Sequence, residues 1–350
     1  MLKRIENLRK QMQSREIEAV ILTARVSHRY FTGFDNEDGA LLITTNSAYA
    51  FEDFRYFEHA ERALAGKYKV IRSLNELGSI LKENNIKKLG FEDLSVSVNE
   101  YNILKKDIEA ELVPIGNMVV SLREIKDEGE IEKINQAQII TDMAFEHILG
   151  ILSTDITETD VSAELEYFMK KHGAEDKSFE TISISAEKTS LPHGVPSNVK
   201  LKRGFFTMDF GATVDGYHSD MTRTVCIGKA DEEMKKLYNT VLDAQLKALE
   251  YLENGGRDGK QADKIARDII DKDYKGYFGH SLGHSVGLEI HEKPVMSPKS
   301  EAILVKGNIV TVEPGIYIPR KYGVRIEDMV AICEKGIENF TKSPKTLIEI

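Results

Sequence analysis

Apolar residues in the first third of the chain fall into short runs with two different spacings. Leu2–Ser14 is helix-periodic, whereas AVILTA (19–24), GALLIT (39–44), YKVIRS (68–73) and KKLGFE (87–92) are compact apolar runs that predict strands. Helical or loop segments separate them, the pattern of a small α/β domain. The character changes at SLREIKDEGEIEKINQAQIITDMAFEHILGIL. Ile134, Ala137, Ile140, Ala144, Ile148 and Ile151 recur there at steps of three or four, which predicts a long amphipathic helix opening a second domain. The boundary falls near Ser121, giving domains 1–121 and 122–350. No Pro-rich or low-complexity linker marks the join, so packed rather than tethered domains are expected.

Bulk properties narrow the function. A chain of 350 residues is long enough for two cores. Its formal charge of −10 argues against nucleic acid or anionic membrane as partner, since both need clustered Lys and Arg. Small solutes or peptides fit better. Cys226 and Cys333 form no CxxC pair, which suits a reduced cytoplasm. The N-terminus is charged where a signal peptide is apolar, and no apolar run approaches the ~18 residues of a membrane span, so a soluble cytoplasmic protein is expected.

Candidate chemistry concentrates in the second half. In FFTMDFGATVDGYHSDMTRTV, Asp215-Gly216 signals a two-residue hairpin turn, with Val214 opposite Tyr217. Counting outward sets Gly211 opposite Asp220 and makes Asp209 and Asp220 diagonal neighbours on one face. Such carboxylates repel unless a cation sits between them. FGHSLGHSVGLEIHEKP then places His280, His284 and His291 among glycines that disfavour a helix and let the backbone aim rings inward. Glu313 closes an apolar run before Pro-Gly, and alternation in GVRIEDMVAI sets Arg325 and Glu327 on one face. Arg325 either pairs with Glu327 or faces a substrate. Asp209, Asp220, His284, Glu313 and Glu327 together read as a two-metal hydrolytic site. Four carboxylates balance two divalent cations, and one imidazole among oxygens suits Mn²⁺, Co²⁺ or Mg²⁺ rather than thiolate zinc.

These motifs carry a resemblance. PHG (192–194), MDFG with SDMTRT (208–224), HSLGHSVGLEIHE (280–292), VEPGIYIP (312–319) and GVRIED (323–328) resemble the pita-bread metallopeptidases, the superfamily of methionine aminopeptidase, aminopeptidase P and prolidase. The first domain, with RYFTGF (29–34), resembles the creatinase/prolidase N-terminal type. The resemblance implies an α/β N-terminal domain followed by an α+β pita-bread catalytic domain. It implies a hydrolase for the bond before proline, foremost an Xaa-Pro dipeptidase, in which Asp209, Asp220, His284, Glu313 and Glu327 hold two ions, Mn²⁺ or Co²⁺. A hydroxide between the ions would be the nucleophile and Glu313 the general base. His193 and His291 would steady the tetrahedral intermediate and leaving group, while His280 and Arg325 would line the proline pocket. Proline-containing dipeptides or short peptides are the implied partners, and a homodimer the implied assembly, with the acidic loop Asp35-Asn36-Glu37-Asp38 as candidate cover for the other subunit's site.

Three positions depart from the family pattern. Ser285 in GHSVG and Ala186 in SAEK stand where Gly is usual, and His28 in VSHRY stands where Asn is frequent. None removes a ligand. The alternative expectations are an aminopeptidase P, which takes longer chains, and a catalytically inactive peptide-binding scaffold. Methionine aminopeptidase normally lacks such a first domain, and creatinase-like enzymes lack the ligands.

Overall fold

The structure, a computed structural model, describes residues 2–350, with only the backbone of Asp107 included. The chain divides into two compact units, the first ending at Arg123 and the second running from Glu124 to Ile350.

The first unit is built on a six-stranded sheet: β1 (Ala19–Leu22), β2 (Ala40–Thr44), β3 (Ala48–Phe51), β4 (Lys69–Ile71), β5 (Lys88–Phe91) and β6 (Glu111–Pro114), in the order β4-β3-β2-β1-β5-β6. The four runs expected as strands are β1, β2, β4 and β5. β1 lies inside the sheet, antiparallel to β2 and parallel to β5, and all four of its residues are buried. That position explains its unbroken apolar run. The helix Leu2–Ser14 forms as its periodicity predicts and buries Ile5, Leu8 and Met12.

His28 sits in a buried hydrogen-bond network of the first unit. It lies fully buried on the helix Arg25–Thr32, with Nε2 2.8 Å from Glu52 Oε1. Asn36 donates its side-chain amide to the other Glu52 oxygen, and a Cβ on Gly39 would come within 2.8 Å of the imidazole. The acidic loop is tied down within its own unit. Arg25 donates to Asp35 at 2.7 Å and to Glu37 at 2.6 Å, and Arg55 donates to Asp38.

In the second unit the long helix starts at Glu128, seven residues after the Ser121 at which the expected helical stretch begins. Asp127 accepts from the Glu130 N–H while the Glu130 carboxylate accepts from the Asp127 N–H, a reciprocal cap that fixes the start. Ser121 belongs instead to a separate helix, Met118–Arg123, in the first unit. The long helix ends at Leu149, so Ile151 drops out of the stripe and is 37% exposed.

Thirteen further strands follow: β7 (Asp176–Lys177), β8 (Ile182–Ser185), β9 (Gly204–Phe210), β10 (Ala212–Val214), β11 (Tyr217–His218), β12 (Met221–Ile227), β13 (Gly283–Ser285), β14 (Glu292–Met296), β15 (Ile309–Val312), β16 (Gly315–Ile318), β17 (Tyr322–Arg325), β18 (Asp328–Ile332) and β19 (Ile337–Asn339). They form sheets ordered β11-β10-β7, β12-β9-β8, β14-β13-β15-β18-β19 and β16-β17. Two helix pairs cover them. Glu128–Leu149 and Glu158–Lys171 bury Ala137, Phe145, Val161 and Leu165 with Phe206, Met208, Phe210 and Val225. Glu232–Glu253 and Gly259–Tyr274 bury Leu237, Val241, Ala262 and Ile270 with Val310, Val312, Val324 and Val330. Removal of this apolar surface from water drives the layering, and it holds the strand ends that carry the acids in place. No helix among the described residues is long and apolar enough to cross a membrane.

Candidate metal centre

The hairpin that carries the two aspartates has the register its turn predicts. Val214 pairs with Tyr217 and Thr213 with His218 across β10 and β11. The same register resumes in β9 and β12, where Phe210 pairs with Met221 and Asp209 with Thr222. Gly211 lies between these stretches, and a Cβ there would stand 1.9 Å from the Ser219 carbonyl oxygen, so this close approach admits only Gly. Asp209 and Asp220 are thereby diagonal neighbours, and both line one cavity.

The histidine segment is not helical. His284 sits in β13, where a Cβ on the preceding Gly283 would lie 1.9 Å from the Thr311 carbonyl oxygen. His284 Nδ1 faces its own strand, 3.1 Å from the Ser285 carbonyl. Donation from Nδ1 to that carbonyl leaves the Nε2 lone pair for a ligand. Nε2 points at the acids, 3.6 Å from Asp220 Oδ2 and 3.4 Å from Glu313 Oε1. Glu313 directly follows β15, and Thr311 Oγ1 donates to it at 3.2 Å. Glu327 falls in the two-residue step between β17 and β18 and is 2% exposed. Ligand atoms of Asp220, His284 and Glu327 all lie within 4.8 Å of one another.

Arg325 lines the same cavity, and its ion-pair partner is Asp209 rather than Glu327. Its guanidinium pairs with Asp209 Oδ2 at 2.6 Å, donates to Tyr317 Oη at 2.7 Å and, through Nε, to Thr222 Oγ1 at 2.8 Å. The Thr222 hydroxyl in turn donates to Glu327 Oε2 at 2.7 Å. Thr222, Thr311 and Tyr317 are thus parts of the site that sequence reasoning missed, although all three lie within or beside the motifs. Tyr317 also approaches His280 Nε2 at 3.0 Å. His280, His193 and His291 line the same cavity of about 390 Å³, and the His291 ring stands 4.5 Å from that of His284. That volume is on the scale of small-molecule sites. A roomier cavity of about 560 Å³, bordered by Glu158, Lys188, Lys202 and Arg320, contains none of the five ligand candidates, so chemistry singles out the smaller one.

Electrostatically the cluster calls for cations. Burial, then the neighbouring carboxylates, raise the Asp220 and Glu327 carboxyls well above the ordinary range. Burial pushes Glu313 up to about 8, with Asp209 adding to the shift and Arg325 opposing it. Burial lowers His280 and His284 to about 4, assisted by Arg325 and His291 respectively, so both rings are neutral imidazoles at pH 7. Asp209 Oδ1 is buried and has no hydrogen-bond partner. An orphaned carboxylate oxygen, acids held at raised pKa by burial and by one another's charge, and a neutral imidazole aimed among them fit an oxygen-rich divalent-metal site.

The model of metallopeptidase family M24 matches residues 132–334, which contain every one of these side chains. The chain belongs to metallopeptidase family M24. Residues 4–125 match the creatinase/prolidase N-terminal domain. This M24 chain is 38% identical to an Xaa-Pro dipeptidase of Pyrococcus furiosus, covering 99% of the chain and 100% of that protein. Its structure resembles that of an Xaa-Pro dipeptidase from Bacillus anthracis (TM-score 0.95, 42% identity, 100% and 99% of the two chains). It also resembles an X-Pro aminopeptidase from Thermotoga maritima (TM-score 0.90, 35% identity, 97% and 100%). The fold is therefore the creatinase-type N-terminal domain joined to the pita-bread domain.

Proposed function

We propose that this metallopeptidase hydrolyses Xaa-Pro dipeptides, with two divalent ions held by Asp209, Asp220, His284, Glu313 and Glu327. The observation that carries the reading is an intact donor set lining one cavity, in a chain similar over nearly its full length to Xaa-Pro dipeptidases. Mn²⁺ or Co²⁺ held there would polarise the scissile carbonyl and acidify water.

The chain's own groups do the rest. Glu313 takes the proton of the attacking water and passes it to the proline nitrogen, which must leave as an amine. His193 and His291 stabilise charge on the carbonyl oxygen and meet the leaving group. His280, braced by Tyr317, walls the cavity on the side of the proline ring, together with Arg325. Because proline makes a tertiary amide without an N–H, recognition rests on shape rather than on a hydrogen bond to that nitrogen.

A homodimer, a cytoplasmic location and Mn²⁺ or Co²⁺ as the working ion belong to the same reading. They rest on family resemblance and on the free thiols of Cys226 and Cys333. The acidic loop 35–38 is the candidate cover for a second subunit's cavity.

The second reading is an aminopeptidase P, favoured by the likeness to the Thermotoga maritima X-Pro aminopeptidase. An inactive peptide-binding scaffold is disfavoured by the complete ligand set. The deciding experiment strips the protein of metal, restores Mn²⁺ or Co²⁺, and compares a dipeptide ending in proline with a tripeptide carrying proline second. Cleavage of the dipeptide alone supports the dipeptidase. Cleavage of the tripeptide supports the aminopeptidase, and failure on both with metal bound supports another peptidase specificity or the scaffold.

A further inference from the structure

Lys126 is a buried lysine outside the cavity, its side chain 1% exposed. Its ammonium donates to Ser285 Oγ at 2.8 Å and to Glu292 Oε2 at 3.1 Å. An ammonium in such a place is costly unless paired, so the contact demands a reason.

Geometry supplies one. Ser285 and Glu292 are register partners across β13 and β14, with a bulge between His284 and Ser285. They bracket the segment 286–291 that ends in His291. Glu292 closes that segment: its Oε1 accepts from the Glu289 N–H at 3.2 Å, and a Cβ on Gly287 would come within 2.6 Å of its Oε2. Ser285, meanwhile, presents its carbonyl to His284 Nδ1. One ammonium therefore grips both ends of the segment that sets the His291 ring against that of His284.

Lys126 is itself anchored. Its N–H donates to the Gly307 carbonyl at 2.8 Å, Asn308 donates to the Glu124 carbonyl at 2.8 Å, and Asp127 caps the helix that begins next door. Gly307, at φ +91°, leaves room for this approach, since a Cβ there would stand 3.0 Å from the Lys126 carbonyl. Ser285, where the family usually has Gly, supplies the second grip.

We infer that Lys126, through Ser285 and Glu292, is a positioning residue that holds His284 and His291 in the geometry needed to bind metal and turn over substrate. The inference rests on the metallopeptidase reading above, but its test reads metal binding separately from peptide cleavage.

The experiment uses the full chain, stripped of metal and titrated with Co²⁺. Lys126→Met keeps the stem and deletes the charge. The double variant Lys126→Met/Glu292→Gln also neutralises the carboxylate left behind. Both are expected to weaken Co²⁺ binding and lower kcat by about 10–100-fold, with an altered visible spectrum and a KM changed less than about threefold. The double variant is expected to regain thermal stability relative to the single one without regaining the spectrum or kcat. Recovery of the wild-type spectrum, Co²⁺ affinity and kcat along with that stability would overturn the inference, leaving Lys126 a packing residue. Should Lys126→Met not fold, the double variant and Ser285→Gly carry the test. Ser285→Gly removes one grip, and a shift of roughly two- to fivefold in Co²⁺ affinity is expected, with none counting against the clamp. If the wild-type protein binds Co²⁺ yet cleaves no Xaa-Pro peptide, the substrate reading fails while the spectra still decide the clamp.

Discussion

Glu313 combines burial, a threonine hydroxyl, a facing imidazole and crowding by other acids in one side chain. Replacing it with Gln keeps size and removes the base. Glu313→Gln is expected to retain its circular dichroism spectrum while kcat falls by about 10²–10⁴-fold, the usual scale of acid–base catalysis. Near-normal turnover would sink the mechanism. The same carboxyl predicts a pH dependence. Its pKa is raised from 4.5 to about 8 in the metal-free fold. Between those values the folded protein holds a proton that the unfolded chain has released, so metal-free stability should fall as pH rises through the window. Asp220 and Glu327 act in the same sense. Urea melts of stripped protein between pH 5 and 8 test this, and saturating Mn²⁺ should reverse the slope, because metal binds the deprotonated acids. Ala186 makes a smaller test. Its φ of +52° is left-handed, a conformation that favours Gly. Ala186→Gly is expected to stabilise by roughly 0.5 kcal/mol, after the entropy of the freer unfolded chain offsets part of the relief. An unchanged or lowered melting temperature would show that no strain was stored.

At the scale of elements, the hairpin was the most legible part of the site. A two-residue turn and a period of two fix which side chains share a face, so Asp209 and Asp220 could be paired from Asp215-Gly216 alone. β3 and β6 were not legible. β6 is half-exposed and lacks a clean apolar alternation, and β3, only four residues long after the polar turn Thr45-Asn46-Ser47, is too short a run to show a period. The partner of Arg325 was also hidden, because Asp209 reaches it from a distant strand. Loop anchors are hidden for the same reason. Glu158 accepts from Ser185 N at 2.8 Å, Lys188 Nζ at 2.6 Å and Ser197 N at 3.1 Å, fastening both flanks of the loop that bears His193. Glu158→Ala leaves buried donors without partners and is expected to cost about 2–4 kcal/mol in urea unfolding, with kcat falling as His193 loses its place. A loss below about 0.5 kcal/mol would show the anchor to be dispensable.

At the scale of the whole molecule, sequence alone carried the two-part architecture, because a change from short apolar runs to a long helical stripe marks a change of core. It also carried the family, because the motifs at 192–194, 208–224, 280–292, 312–319 and 323–328 together resemble those of the pita-bread metallopeptidases. It did not carry the choice between dipeptide and longer substrates. The donors are common to both readings, and the choice depends on what surrounds the cavity rather than on what lies at its base. On the proposed reading, Asp209, Asp220, His284, Glu313 and Glu327 make a two-ion hydrolytic site. The measurement that tests it most directly is the rate of hydrolysis of an Xaa-Pro dipeptide by stripped protein as Mn²⁺ is added in known proportion to chains. A two-ion site gives no hydrolysis under excess chelator and a rate that saturates at two ions per chain. Full activity in chelator, or a rate that already saturates at one ion per chain, would overturn the two-ion site.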